Sequence, residues 1–323
     1  MTDVADYDAL LVVSFGGPEG PDDVMPFLQN VVRGRNVPQE RLRQVAKQYE
    51  LFRGVSPINA ETRRLVEALR EELERSGRGL PVYWGNRNWH PFLGDTLGTM
   101  ADDGIRRALA FVTSAYSSYS SCRQYLEDIE RARAAAGSAA PAVDKMGPFF
   151  DRPGFIEANR ERLQDALVSC PGAYVLFTAH SIPLEMAAVC EYEAQLRETA
   201  RLVAASLDNP WELVYQSRSG PPNVLWLSPD VLEAIDRLAA EGIRELVLSP
   251  IGFVSDHMEV VYDLDIQARR RAASLGVSLL RAGTAGAHPC FVRMIREIVE
   301  EHLAGPAPEA CPPGCCLPTG QRN

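Results

Sequence analysis

Leu246-Val247-Leu248-Ser249-Pro250-Ile251-Gly252-Phe253-Val254 runs directly into Ser255-Asp256-His257-Met258-Glu259-Val260-Val261-Tyr262-Asp263-Leu264-Asp265. The first run is apolar throughout and reads as a strand buried on both faces, expected over 245–251. The second opens on a polar turn and continues as a helix, expected over 257–273. A strand, a polar turn and a helix make up the unit of an open α/β sheet, whose ligands gather beyond the carboxyl ends of the strands. Here the turn supplies an imidazole and the helix supplies carboxylates at Glu259 and Asp263, which lie one above the other on a helix. A like-charged pair at that spacing costs an isolated helix about 0.2–0.5 kcal/mol, so stability gives no reason for it. A cation on that face would give one; the plainer alternative is a solvated acidic face.

The same unit recurs along the chain. Strands are expected at 9–15, from 81, at 108–113 and 142–146, and again at 174–180, 212–216, 245–251 and 277–280. Helices are expected at 60–75, 91–103, 122–136, 154–168, 184–207, 229–240, 257–273 and 288–303, with one beginning near Val24 that Asp22-Asp23 could cap. Gly104-Ile105-Arg106-Arg107-Ala108-Leu109 echoes Gly242-Ile243-Arg244-Glu245-Leu246-Val247, so the second half repeats the plan of the first. Alternating strands and helices with right-handed crossovers give an α/β fold of two doubly wound, Rossmann-like parallel-sheet lobes, whose strand ends are expected to face a common cleft. The lobes are expected over 1–148 and 149–285, followed by a closing helix at 286–304 and a cysteine-rich tail at 305–323.

A net charge of −10 argues against a nucleic-acid surface and against a polybasic membrane anchor. The opening Met1-Thr2-Asp3-Val4-Ala5-Asp6 has neither a basic nor an apolar signal region, and no apolar run approaches the ~20 residues of a transmembrane segment. A cytoplasmic location is expected. In that compartment the seven cysteines read as thiols or metal ligands more readily than as disulfides.

Tyr174-Val175-Leu176-Phe177-Thr178-Ala179 ends in His180-Ser181-Ile182-Pro183. An imidazole at a strand's carboxyl end, titrating near neutrality, suits proton transfer, and its pairing with Glu259 from another strand end of the same lobe strengthens that reading.

Six stretches in order carry a family resemblance: Ser14-Phe15-Gly16-Gly17-Pro18, Gly54-Val55-Ser56-Pro57-Ile58, Gly85-Asn86-Arg87, Ala179-His180-Ser181-Ile182-Pro183, Tyr215-Gln216-Ser217-Arg218-Ser219-Gly220-Pro221 and Phe253-Val254-Ser255-Asp256-His257-Met258-Glu259. Together they resemble ferrochelatases over residues 8–303, most closely the actinobacterial branch that inserts iron into coproporphyrin III. The resemblance implies a class II chelatase-like fold and an enzyme, a lyase of haem biosynthesis. Its substrates would be coproporphyrin III and Fe2+, and its partners the pathway enzymes before and after it. It implies His180 and Glu259 as catalytic residues, His180, Glu259 and Asp263 as contacts of the substrate iron, and a π-type distortion in the Glu259 helix. Phe15, Arg33, Tyr49, Ser56, Tyr125 and Trp226 fall at porphyrin-binding places, and Arg35 is a nearby candidate. Phe15 replaces an iron-ligating tyrosine of some relatives, Gln48 stands where some have arginine, and Gln267 where many carry a further acid. The tail Cys311-Pro312-Pro313-Gly314-Cys315-Cys316 implies a [2Fe-2S] cluster on Cys311, Cys315, Cys316 and Cys122, with Cys190 and Cys170 as rivals for the last place. Alternatives are protoporphyrin IX as the substrate, or a bilobal protein that binds metal or tetrapyrrole without catalysis.

Overall fold

The computed structural model describes residues 6–35, 37–220, 223–305, 308 and 314–318. The chain divides into two compact units. One holds the residues up to Thr113, Tyr125–Gly147 and the final helix from Ile295 onward; the other holds Ser114–Gln124, Pro148–Met294 and the described tail. A simple division at 148/149 misses two exchanges: the segment after the third strand counts with the second unit, and the end of the last helix counts with the first.

In the first unit β1 (Ala9–Ser14), β2 (Val82–Asn86), β3 (Arg107–Val112) and β4 (Ala142–Lys145) form a parallel sheet ordered β2-β1-β3-β4. Every residue of β1 is buried, which is why its sequence shows no alternation. Leu11 and Val13 pack with Leu93, Leu97, Met100 and Ile129 in one core, where each fully buried aliphatic side chain contributes about 1.5–3 kcal/mol. In the second unit β5 (Tyr174–His180), β6 (Trp211–Gln216), β7 (Glu245–Ser249) and β8 (Ser278–Arg281) form a parallel sheet ordered β6-β5-β7-β8. The two sheets share one topology, so the repeat seen in the sequence is a repeat of fold. Leu176, Val214, Leu238, Leu246 and Leu248 of the second core pack with Leu264 and Ala268 of the segment after β7.

Several elements differ from expectation. β7 stops at Ser249 because Pro250 has no N–H to continue the ladder. The helix expected over 184–207 is two, Leu184–Ala187 and Tyr192–Ala204. Helix Gln39–Glu50 was not expected; it buries only Leu42 and Tyr49, too few to show a period. Asp23 does not cap helix Val24–Val31, and its carboxylate instead accepts from the Glu19 N–H at 3.0 Å.

The helix after β7 is three segments: α-helical Met258–Val260, π-helical Val261–Ala268 and α-helical Arg269–Ser274. A second π-helical turn, Tyr119–Arg123, follows β3, the counterpart of β7. Ser118, extended, caps the first of these by accepting from the Ser121 N–H, and His257, also extended, caps Met258–Val260 by accepting from the Glu259 N–H. Among the described residues no helix is long and apolar enough to cross a membrane.

Candidate active site

His180 ends β5, where the backbone is held by its register partner Gln216 and by the Tyr192 hydroxyl, which donates to the His180 carbonyl at 3.0 Å. Gly252 lets the turn after β7 close onto this strand end, since a Cβ there would lie 2.5 Å from the Ala179 Cβ. The His180 Nδ1 is 2.5 Å from the Ser181 carbonyl oxygen, so that nitrogen carries a proton and the free Nε2 points to Glu259, 3.6 Å away. Glu259 is fixed through its backbone: its N–H donates to His257 Nδ1 at 3.2 Å and its carbonyl accepts from Gln216 Nε2 at 3.0 Å. About half of its side chain is exposed.

The charges order themselves. Burial works against an ionised Glu259, but the nearby His180 imidazole, with His257 beside it, outweighs it and holds the carboxyl at about 2. Burial likewise favours a neutral His180, yet the neighbouring Glu259 carboxylate, the Ser181 carbonyl and Asp263 lift it above its ordinary value. His257 goes the other way, pushed down by burial and by the charge of His180 against the pull of Glu259 and Asp256. Asp263 is raised to about 7, by burial first and by the Glu259 charge, against the hydrogen bond from Ser217. Ser217 sits at φ +63°, a left-handed backbone that a serine adopts at a cost. An imidazole made more basic by a permanent carboxylate, with an acid titrating near neutrality close by, can take a proton and pass it on.

Trp226 belongs to the same unit, its backbone bridged to Pro183 three residues beyond His180. Gly220 lies against its indole, where a Cβ would come 2.4 Å from the ring.

In the first unit the structure gathers three of the porphyrin-binding candidates. Phe15 and Tyr49 both pack edge-on against Phe27, with ring centres 6.3 and 6.2 Å apart. The Arg87 guanidinium lies 4.3 Å above the Tyr125 ring and 5.8 Å from that of Phe15, and bonds Asp128 at 2.5 Å. Ser56 is buried against Gly17. Arg33 and Arg35 lie outside this cluster on an exposed connection, with Arg33 bonded to Asn30 at 2.5 Å. Phe27, Arg87 and Asp128 were not singled out from sequence; the Gly85-Asn86-Arg87 stretch was the available signal for Arg87. A hollow lined by Arg70, Tyr83, Trp84 and Thr96 contains none of the site residues.

Cys122 is buried within the π-helical turn. Cys315 and Cys316 have sulfurs 3.6 Å apart. Burial first, then Cys315 and the charges of Cys122 and Cys190, push the Cys316 thiol far up. Cys170 is raised by burial and by Glu245, and Cys290 bonds Glu161. Cys311 lies outside the described residues. Among the described residues no group of three or more histidine, cysteine or acidic side chains is gathered closely enough to hold a metal ion.

Two four-stranded parallel sheets of one topology define the class, a chelatase-type fold. The fold is shared with SirB from Bacillus subtilis, solved with Fe3+, at a TM-score of 0.56 and 12% identity over 93% of this chain and 96% of that one. It is shared also with CbiX, the terminal enzyme for siroheme biosynthesis in denitrifying bacteria, at 0.50 and 14% over 90% and 98%. The sequence narrows the class. The ferrochelatase family model matches residues 7–303. The chain is 50% identical to the ferrochelatase of Rhodopirellula baltica over all of this chain and 97% of that one. It is 51% identical to the coproporphyrin III ferrochelatase of Frankia alni, over 97% and 87%, and 49% identical to that of Mycolicibacterium smegmatis, over 94% and 92%. The chain belongs to the ferrochelatase family.

Proposed function

We propose that this chain inserts Fe2+ into coproporphyrin III to form Fe-coproporphyrin, in the cytoplasm, between the haem-pathway enzymes that make the porphyrin and consume the product. The observation that carries the reading is the pairing, at 3.6 Å, of His180 at the end of β5 with Glu259 of the helix that follows β7. Metallation requires two pyrrole protons to leave a flat ring as the cation arrives. His180 Nε2 takes the two protons in turn, giving up the first before it accepts the second, and the ionised Glu259 stabilises the imidazolium and attracts Fe2+. Asp263, titrating near 7 and bonded to Ser217, carries the proton and the incoming cation one turn farther from the ring. Phe15 and Trp226 are proposed as apolar ring contacts, and Arg33, Arg35, Tyr49, Ser56 and Tyr125 as donors to the propionates.

Coproporphyrin III brings two more carboxylates than protoporphyrin IX. Hydrogen bonds to a charged group contribute about 1.5–3 kcal/mol each before desolvation is subtracted. One net contact therefore shifts specificity roughly tenfold. Anaerobic turnover on the two porphyrins side by side is expected to favour coproporphyrin III by at least that factor in kcat/KM. Equal efficiency would favour the second reading, protoporphyrin IX, which the R. baltica relative named simply as a ferrochelatase leaves open.

A [2Fe-2S] cluster on Cys122, Cys311, Cys315 and Cys316 is the second part of the proposal. The residues fit in kind: all are thiols, and Cys316 is buried in a stretch without helix or strand. Bound there, the cluster would supply the iron–sulfur bonds that order the tail. Cys190 competes with Cys122, since both charges bear on Cys316. Protein purified without oxygen is expected to hold two irons and two inorganic sulfides per chain beyond substrate iron. Cys315→Ser and Cys122→Ser should both lose them, and Cys290→Ser should not. Bleaching by Cys190→Ser or Cys170→Ser, with Cys122→Ser still coloured, would reassign the fourth ligand; unchanged iron content in every tail variant would rule the cluster out.

A further inference from the structure

Arg281 closes β8 with its side chain largely buried, 13% exposed, and grips two carboxylates at once. Its Nε and Nη2 lie 2.8 and 2.9 Å from the two oxygens of Asp265, and its Nη1 and Nη2 lie 3.0 and 2.9 Å from those of Asp256. Asp256 belongs to the turn before Glu259, and Asp265 to the π-helical segment just beyond Asp263. The two grips therefore bracket both acids of the site.

This bracketing has a physical purpose. A π-helical stretch is rare and has poorer backbone hydrogen bonding than an α-helix, so it persists only where its surroundings hold it. Leu264 and Ala268 anchor one face in the core, and Gln216 holds the Glu259 carbonyl. Neither contact ties the turn to the middle of the π-helical segment. The planar guanidinium does, because it presents donors along two edges in a fixed geometry that lysine cannot copy.

We propose that Arg281 is a positioning residue, whose double grip on Asp256 and Asp265 sets the phase of the segment that presents Glu259 and Asp263. The inference rests on the assignment of Glu259 to metal insertion. Displacing a reacting group by about 1 Å can cost a hundredfold in rate, so a loosened segment is expected to lower turnover with porphyrin binding kept.

Two variants test it. Arg281→Lys keeps the charge and loses the fork. The triple variant Arg281→Met with Asp256→Asn and Asp265→Asn removes the clamp without leaving an unpaired buried charge. Coproporphyrin III titration gives the binding-competent fraction of each protein, and anaerobic Fe2+ insertion is divided by that fraction. Both variants should bind one porphyrin per chain with KM within about twofold of wild type, while kcat per bound porphyrin falls about tenfold. A kcat per bound porphyrin within twofold of wild type in the triple variant would overturn the inference. So would loss of porphyrin binding in proportion to activity, which marks a purely structural ion group. Glu259→Gln, measured alongside, separates the two claims: if it turns over like wild type, the site assignment fails; if it is impaired and the Arg281 variants are not, only the positioning role fails.

Discussion

His180→Ala is expected to abolish iron insertion while coproporphyrin III still binds within a few-fold of wild type. A positioned general base typically contributes about 10²–10⁴-fold, and this imidazole is also the group whose basicity Glu259 raises. Nε2 faces Glu259 at 3.6 Å while Nδ1 is engaged by the Ser181 carbonyl, so no other ring nitrogen can substitute. Apolar burial of a porphyrin does not depend on that nitrogen, so binding and turnover should separate. Anaerobic turnover and a fluorescence titration of the porphyrin measure the two. Turnover near wild type would remove His180 from the chemistry.

Glu259→Gln is expected to cost about a hundredfold or more, and Asp263→Asn about tenfold. The amide keeps the shape of Glu259 but removes the charge that holds His180 in its raised state, so acceptor and cation attraction fail together. Asp263 acts farther along the segment, and its loss leaves the pair intact. The reverse ranking at saturating iron would sink the idea of an acidic path that begins at Glu259.

Asp263 also predicts a pH dependence. Its carboxyl titrates at about 7 in the fold, against an ordinary 3.8. Between those values the unfolded chain has released the proton and the folded chain keeps it. Stability contributed by this group is therefore complete below the lower value and is lost as pH rises toward the upper one. Asparagine cannot ionise. Thermal unfolding should show Asp263→Asn gaining on wild type between pH 4.5 and 7.5. A difference that does not change with pH would mean that Asp263 is not held as a buried neutral acid.

How much of this was legible beforehand depends on the range over which each cause acts. The strands were, because a central parallel strand is buried on both faces and writes an uninterrupted apolar run, as in Ala9–Ser14 and Tyr174–His180. The positions of His180 at a strand end and of Glu259 in the helix after another strand followed from the same runs. Helix Gln39–Glu50 did not, since an exposed helix with two buried residues leaves no period to read. The π-helical turns after β3 and β7 did not follow from spacing either; family likeness implied only the second.

The amino-acid sequence by itself determined the two repeated sheets, because burial patterns are local. The tertiary structure alone decided which imidazole is the stronger base. His180 and His257 are the same residue type near the same carboxylate, yet one is lifted and the other lowered, by partners and burial that chain folding assembles. It also decided that Arg281 would hold Asp256 and Asp265, residues 25 and 16 positions away, since only the sheet brings β8 beside the turn that follows β7. An ion pair across such separations leaves no period in a sequence, because its geometry exists only once the strands have paired.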